Sequence, residues 1–190
     1  MPSIISHPAV VLAFGPVFAR VGVAPRLWLV GAACTVVPDL DSIGFFRGVP
    51  YASVFGHRGL SHSLLLALTL ALILALICRR LSPKASLLAI TVFLFLCTAS
   101  HGMLDALTNG GLGVAFFSPF TQYRYFFPWR PIAVSPLSVS RFLAGRGLHV
   151  LWSELRWVVL PSLATGIVAH LLLPRRGAKY ALGRSSGVKS

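Results

Sequence analysis

The run Leu64–Cys78, LLLALTLALILALIC, holds one polar side chain, Thr69, and is followed at once by Arg79, Arg80 and Lys84. A helix needs about 20 residues at 1.5 Å rise to cross roughly 30 Å of hydrocarbon. This run reaches that length when its helix starts near Gly59 or Leu60. Two further apolar runs follow, Ser86–Leu104 and Leu155–Leu173, the second with Pro161 as a kink. The chain is 56% hydrophobic and only 11% charged, against about 25% charged in soluble domains. That is too little charge to cover a water-facing surface, and too much apolar content for disorder. Three Cys do not make a disulfide scaffold; Cys34, Cys78 and Cys97 each lie inside an apolar run and read as small core hydrophobes. The expected fold is all-α, a polytopic integral membrane helical bundle with four to five membrane segments. Residues 1–174 are expected to form a single helical domain with one metal site, and 175–190 a flexible basic tail rich in Gly and Ser.

The N-terminal third is less regular. Pro8–Val23 is apolar but contains Gly15, Pro16 and Arg20, and Leu27–Val37 is short and ends at Pro38. A helix that short stops near mid-bilayer or runs on through Pro-Asp-Leu-Asp. Either course puts Asp39 and Asp41 at membrane depth, inside protein rather than against lipid. No basic residue precedes Arg20, so the positive region of a signal peptide is missing. Two longer connections remain, Ser42–Gly56 and Asp105–Glu154. The second contains FFSPFTQYRYFFPWRPI at Phe116–Ile132, where aromatics beside Arg and Pro read as an interfacial belt or a substrate seat.

The net charge of +13 needs a partner. The basic residues punctuate apolar runs rather than clustering on a polar face, so anionic lipid is expected and nucleic acid is not. Threading the chain back and forth through five segments puts Arg26, Arg79, Arg80, Lys84 and the basic tail on one side, which the positive-inside rule makes cytoplasmic. The other, outer side receives His7, Asp39, Asp41, His57, His62, His101 and Asp105. His101 and Asp105 are four apart and share a helix face. His57 and His62 do not share a helix stripe; a loop-to-helix transition capped by Ser61 or Ser63 would converge them.

The grouping matters because it uses three of the four acidic residues and four of the six His in the chain. Carboxylates near a bilayer are costly and mark function. Their mutual repulsion calls for a counter-charge, and mixed imidazole and carboxylate donors suit a divalent transition metal, zinc before manganese or iron. Seven ligands are too many for one tetrahedral ion and fit two ions sharing a bridging carboxylate. Such a pair generates hydroxide at neutral pH and clamps a phosphoryl displacement. Arg58, between two of these His, would either hold a phosphate oxygen or pair with Asp39 or Asp41. Asp41 and Arg58 are the candidates for direct catalytic roles. Glu154, the remaining acid, reads as a charge at a helix N-terminus or as an eighth site residue. His170 reads as a satisfied core residue.

HPAVV at the start, VPDLDS at Val37–Ser42, HRGLSHSLLLAL at His57–Leu68 and SHGMLDALTNGG at Ser100–Gly111 resemble the YdjM-like family. FSPFTQYRYFFPWRPI is similar to the region after that family's His–Asp helix. Ser61 stands where the family's His-Arg-Gly-x-Thr-His-Ser signature has Thr, and keeps the hydroxyl. The resemblance implies a multi-pass inner-membrane metal-dependent hydrolase. It assigns metal ligation to His7, Asp39, Asp41, His57, His62, His101 and Asp105.

The expected activity is hydrolysis of a phosphoester in a lipid or lipid-linked substrate by a metal-bound hydroxide. The alternative is a non-enzymatic membrane scaffold or transport protein with a structural metal site. Conduction needs polar groups through the full bilayer depth, and Leu64–Cys78 has no Asp, Glu, His, Lys or Arg.

Overall fold

The computed structural model describes residues 2–136, 140 and 142–173. The expected basic tail at 175–190 lies outside the described residues. The described residues hold no strand, only the isolated bridges Thr108–Ile132 and Val114–Tyr125. The helices are α1 (Val10–Ala19), α2 (Pro25–Cys34), α3 (Ile43–Phe46), α4 (Leu64–Cys78), α5 (Leu87–Ala106), α6 (Gly147–Glu154) and α7 (Leu160–Leu172). Three continuous helical stretches are long and apolar enough to cross a membrane: Leu64–Leu81, Leu87–Ala106 and Gly147–Leu172. His7–Ala19 is a shorter apolar helix. The fold is an all-helical membrane bundle.

Local chemistry sets the helix boundaries. Ser63 caps α4 by accepting from Leu66 N at 3.1 Å, and Ser86 caps α5 by accepting from Ala89 N at 3.1 Å. The cap at Ser63 keeps α4 from starting at Gly59 or Leu60. The span gains its length at the other end, through a 3-10 turn at Arg79–Leu81. The second helix starts at Pro25, in the first-turn position proline favours, and ends at Cys34. The third span begins well before Leu155. Its α6 and α7 portions are joined by a π turn at Leu155–Val159, directly before Pro161, whose missing N–H cannot continue the helical ladder.

Helix α5 is the centre of the bundle. Twelve of its residues are buried, against three in α4 and three in α7. Phe93, Leu94 and Cys97 of α5 pack with Leu27, Cys34, Ala71 and Ala75 in one core. Leu72, Ile73, Leu76 and Ile77 of α4 and Ile167, Val168 and Leu171 of α7 are exposed. A water-soluble protein would not expose such faces; lipid covers them without cost.

The two short loops meet at one end, as the threading requires. Ala24 N donates to Ser82 Oγ at 2.9 Å. Gly22, at φ +96°, lies so close to the other loop that a Cβ there would fall 2.6 Å from the Lys84 carbonyl. Arg20 donates to the His170 carbonyl at 2.8 Å, bringing the end of α7 to the same side. The His170 side chain is exposed, not buried in the core as expected. At the opposite end the connection after α5 folds back over the bundle. Leu64 N donates to Phe116 O, Ala115 N to Arg58 O and Phe127 N to Ala106 O.

Helix α7 packs closely on α1. Pro16 has no N–H for the Leu12 carbonyl four residues earlier, and Gly166 seats against that freed oxygen. A Cβ at Gly166 would lie 2.1 Å from it. Gly166→Val is therefore expected to destabilise the protein by about 1–3 kcal/mol, read as a lower Tm in detergent. An unchanged Tm would contradict this crossing.

Candidate metal centre

Four elements bring the polar residues together. The 3-10 turn Val37–Ser42 carries Asp39 and Asp41, the turn at Leu60–His62 ends in His62, and α5 supplies His101 and Asp105. His7 opens the 3-10 turn that leads into α1. The chain between His57 and His62 reverses at Arg58, a non-glycine residue in the left-handed region at φ 63°. That conformation is costly for a residue with a Cβ. Here it is held on both sides: Arg58 N donates to Asp41 Oδ2 at 3.2 Å, and Arg58 O accepts from Ala115 N at 3.0 Å. The reversal turns both imidazoles inward, the convergence that helical spacing alone could not give. Gly102 on α5 faces the His62 carbonyl, 3.2 Å from where a Cβ would sit, which lets this turn lie close to the helix.

Two overlapping donor sets result. Asp39, His62, His101 and Asp105 each offer one atom, all within 4.8 Å of one another and all buried. Asp41, His57 and His62 form a second set. In the first, His62 Nε2 lies 3.0 Å from His101 Nε2 and 3.3 Å from Asp105 Oδ2, and His101 Nε2 lies 3.2 Å from Asp39 Oδ1. His7 is fully buried and stacks on His101 with centroids 3.9 Å apart. Neither of its ring nitrogens has a hydrogen-bond partner among the described residues, and neither does either carboxylate oxygen of Asp39. Six of the seven residues expected from the sequence thus lie in the two sets, and His7 lies directly against them.

The tautomers explain why these atoms fit a cation. His101 Nδ1 donates to the Thr35 carbonyl at 2.7 Å. In neutral His101 this leaves the Nε2 lone pair facing the cluster. His62 Nδ1 lies 3.2 Å from Asp41 Oδ2 and 2.9 Å from Ser61 Oγ, so its Nε2 also faces inward. Two imidazole lone pairs and two carboxylate oxygens then share one small buried volume, and they need a positive charge between them. In the protein alone, burial works against charging His62, but the Asp105 and Asp41 carboxylates outweigh it and raise its pKa to about 9. Asp41 moves the other way. Burial would raise its pKa, but hydrogen bonds from His57 and His62 hold it well below the usual carboxylate range. It also accepts from Ser61 Oγ, and His57 Nδ1 lies 2.6 Å from it. Asp41 therefore binds the two histidine positions together.

Arg58 is fully buried. Its Nε lies 2.9 Å from Asp105 Oδ2, NH1 donates to the Gly110 carbonyl at 3.0 Å and NH2 to Thr108 Oγ1 at 3.1 Å. Its side-chain carboxylate partner is Asp105; the alternative of a pairing with Asp39 or Asp41 is met only by its backbone N–H on Asp41, because the guanidinium points past the acid turn toward the end of α5. Gly111, at φ +91°, makes room for it: a Cβ there would fall 2.6 Å from Arg58 NH1. Arg124, within the segment read from sequence as an interfacial belt or a substrate seat, donates to the carbonyls of His57, Tyr51 and Ser53 and fastens the loop ahead of the site. Glu154 stands at neither a helix N-terminus nor the donor sets. It is buried at the end of α6 and accepts from Ser3 N and, at 2.6 Å, Ser3 Oγ. The sequence reading missed Thr35, which acts through its backbone carbonyl and so carries no side-chain signal. It also missed Thr108, whose hydroxyl sits in the DALTNGG segment already singled out.

The family model of the YdjM inner membrane protein matches residues 1–177. This chain belongs to that family. It is 40% identical over 163 residues to inner membrane protein YbcI of Escherichia coli (strain K12), covering 86% of this chain and 94% of that one. No solved structure matches.

Removing the Arg58 side chain would leave Asp105 buried beside a partly emptied pocket. Arg58→Ala is expected to cost about 3–5 kcal/mol of stability, measured by denaturant or thermal unfolding of the metal-free protein. Gly111→Ala should produce part of the same loss by displacing the guanidinium. A wild-type-like Tm in both variants would contradict the buried pairing.

Proposed function

We propose that this family member is a membrane-embedded, metal-dependent hydrolase that cleaves a phosphoester of a lipid or lipid-linked substrate. The observation behind this reading is the convergence of His62 Nε2, His101 Nε2, Asp39 and Asp105 in one buried volume, with the outer nitrogen of each imidazole already engaged. These four residues would hold a divalent transition ion, with zinc the best match to the donors and manganese or iron next. Asp41 and His57, beside this set, would be the donors for a second ion. A bound ion of this kind lowers the pKa of water and neutralises charge on a phosphoryl oxygen.

The protein's own residues have separable tasks. Thr35 fixes the His101 tautomer, Asp41 orients His57 and His62, and Arg58 holds Asp105 in place rather than reaching for phosphate. The site stands beneath the aromatic connection, where Phe120, Tyr123 and Trp129 are exposed and the Arg130 guanidinium lies over the Phe126 ring at 4.7 Å. Those groups would seat a headgroup at the membrane interface. Arg26, Arg79, Arg80 and Lys84 lie at the short-loop end, and on the positive-inside rule the site would face outward. Residues 1–174 would act as one domain around this centre.

One observation favours a second reading. Four buried protein donors are also the number that a structural metal site uses, and a scaffold would need nothing more. The full-length protein in lipid nanodiscs separates the two. Elemental analysis is expected to find at least one stoichiometric transition metal. Chelation should abolish release of phosphorylated headgroup from lipid while far-UV helicity persists. His62→Ala and Asp105→Asn should each lower turnover by about 100-fold or more. Unfolding on chelation without any turnover would favour the scaffold, and the absence of metal would end both readings.

A further inference from the structure

The fourth acid of the chain lies outside the metal cluster and inside a span. Glu154 is 1% exposed, within the helical stretch Gly147–Leu172. A carboxylate at that depth is expensive and persists where it has a task. Its hydrogen bonds cross 151 positions of sequence, to the backbone N–H and the hydroxyl of Ser3. Ser3 in turn organises the next residues: its carbonyl accepts from Ser6 N at 3.1 Å and Ser6 Oγ at 3.2 Å, and Ala9 N donates to Ser6 O at 3.0 Å. This hook delivers His7, whose buried ring lies flat on His101 with 17° between the planes.

We infer that Glu154 is a positioning residue. By clamping Ser3, it holds the hook shut and presses His7 against the metal cluster. Without the clamp, the residues ahead of His7 would lose their hydrogen-bonded tie to the third span, and the His7 ring would lose the fixed approach that keeps it over His101. The π turn that begins at Leu155 belongs to the same arrangement, since it lies against the His7–Ala9 turn and π turns gather at functional sites. The link to the cluster rests on the hydrolase reading; the clamp itself does not.

The test has two arms on the full-length protein in nanodiscs. In the first, histidines of chelator-treated protein are acylated with diethyl pyrocarbonate and read by mass spectrometry, with exposed His149 as internal standard. His7 should be protected in the wild type. In Glu154→Ala its labelling should rise about 10-fold or more while His149 is unchanged, as expected for a local opening. Glu154→Gln should restore much of the protection, because its amide oxygen still accepts from Ser3 N. If Glu154→Ala does not fold, Ser3→Ala removes one of the two bonds and should raise labelling by a smaller factor. Unchanged His7 labelling in the folded variants would overturn the clamp.

The second arm measures zinc affinity. Glu154→Ala should weaken zinc about 10-fold or more, but the same change in a His7→Ala background should have no further effect. An equal loss in both backgrounds would overturn the route through His7. A wild type that binds no zinc, manganese or iron would sink the hydrolase reading alone, and the labelling arm would still decide the clamp.

Discussion

Arg58 carries a permanent positive charge into a fully buried position, and most of the site's architecture follows from keeping that charge solvated by protein. The guanidinium takes Asp105 from α5, Thr108 from the end of that helix and the Gly110 carbonyl from the turn beyond it. Its backbone ties in two further segments, the acid turn through Asp41 and the capping connection through Ala115. One residue thus connects α5, the acid turn, the His57–His62 reversal and the cap. A buried pair of this kind adds little net stability over apolar packing. What it supplies is a fixed orientation: Asp105 has its Oδ2 3.3 Å from His62 Nε2 while also facing Arg58.

The fold was largely legible because its main signals are long and redundant. Leu64–Cys78 begins and ends as an α-helix where its apolar composition changes, and the Ser-capped starts of α4 and α5 follow from local chemistry. The co-location of the polar residues depended only on counting crossings, and the two short loops do meet at the opposite end. Boundaries were harder where competing local effects decide. The span containing Glu154 extends back to Gly147, so a carboxylate read as a helix-start charge proved to be inside the span. No periodicity reports the buried partner that makes this tolerable, since Ser3 is 151 residues away.

The site was legible as a set and not as a geometry. Sequence spacing joined His101 to Asp105, but the left-handed turn at Arg58 is what brings His57 and His62 to Asp41. Non-glycine residues rarely adopt that turn, and it is stabilised here by contacts from distant segments. Of the alternatives the sequence left for Arg58, a side-chain pairing with Asp39 or Asp41 fails for the same reason: the carboxylate beside the guanidinium in space is Asp105. Charge economy explains why the set was nonetheless visible. With four acids in the chain, each must have a partner strong enough to justify its burial. Three of them share imidazoles, and the fourth has the two donors of Ser3.

The depth of the site is tied to the shortness of α1 and α2. Each has 10 residues and is therefore about 15 Å long, half of what a bilayer requires. Helices that stop inside a membrane leave carbonyls without partners, and lipid cannot satisfy them. At the end of α2, Thr35 is fully buried within the protein and its carbonyl faces the same need, which the His101 Nδ1–H meets. The bond removes an orphan acceptor from the apolar interior. It also forces the remaining lone pair of neutral His101 toward Asp39 and His62. A truncated helix, an orphan carbonyl and an oriented imidazole are thus consecutive consequences of one another. Extending α2 by a turn would bury that carbonyl in the helical ladder and take away the group that aims His101.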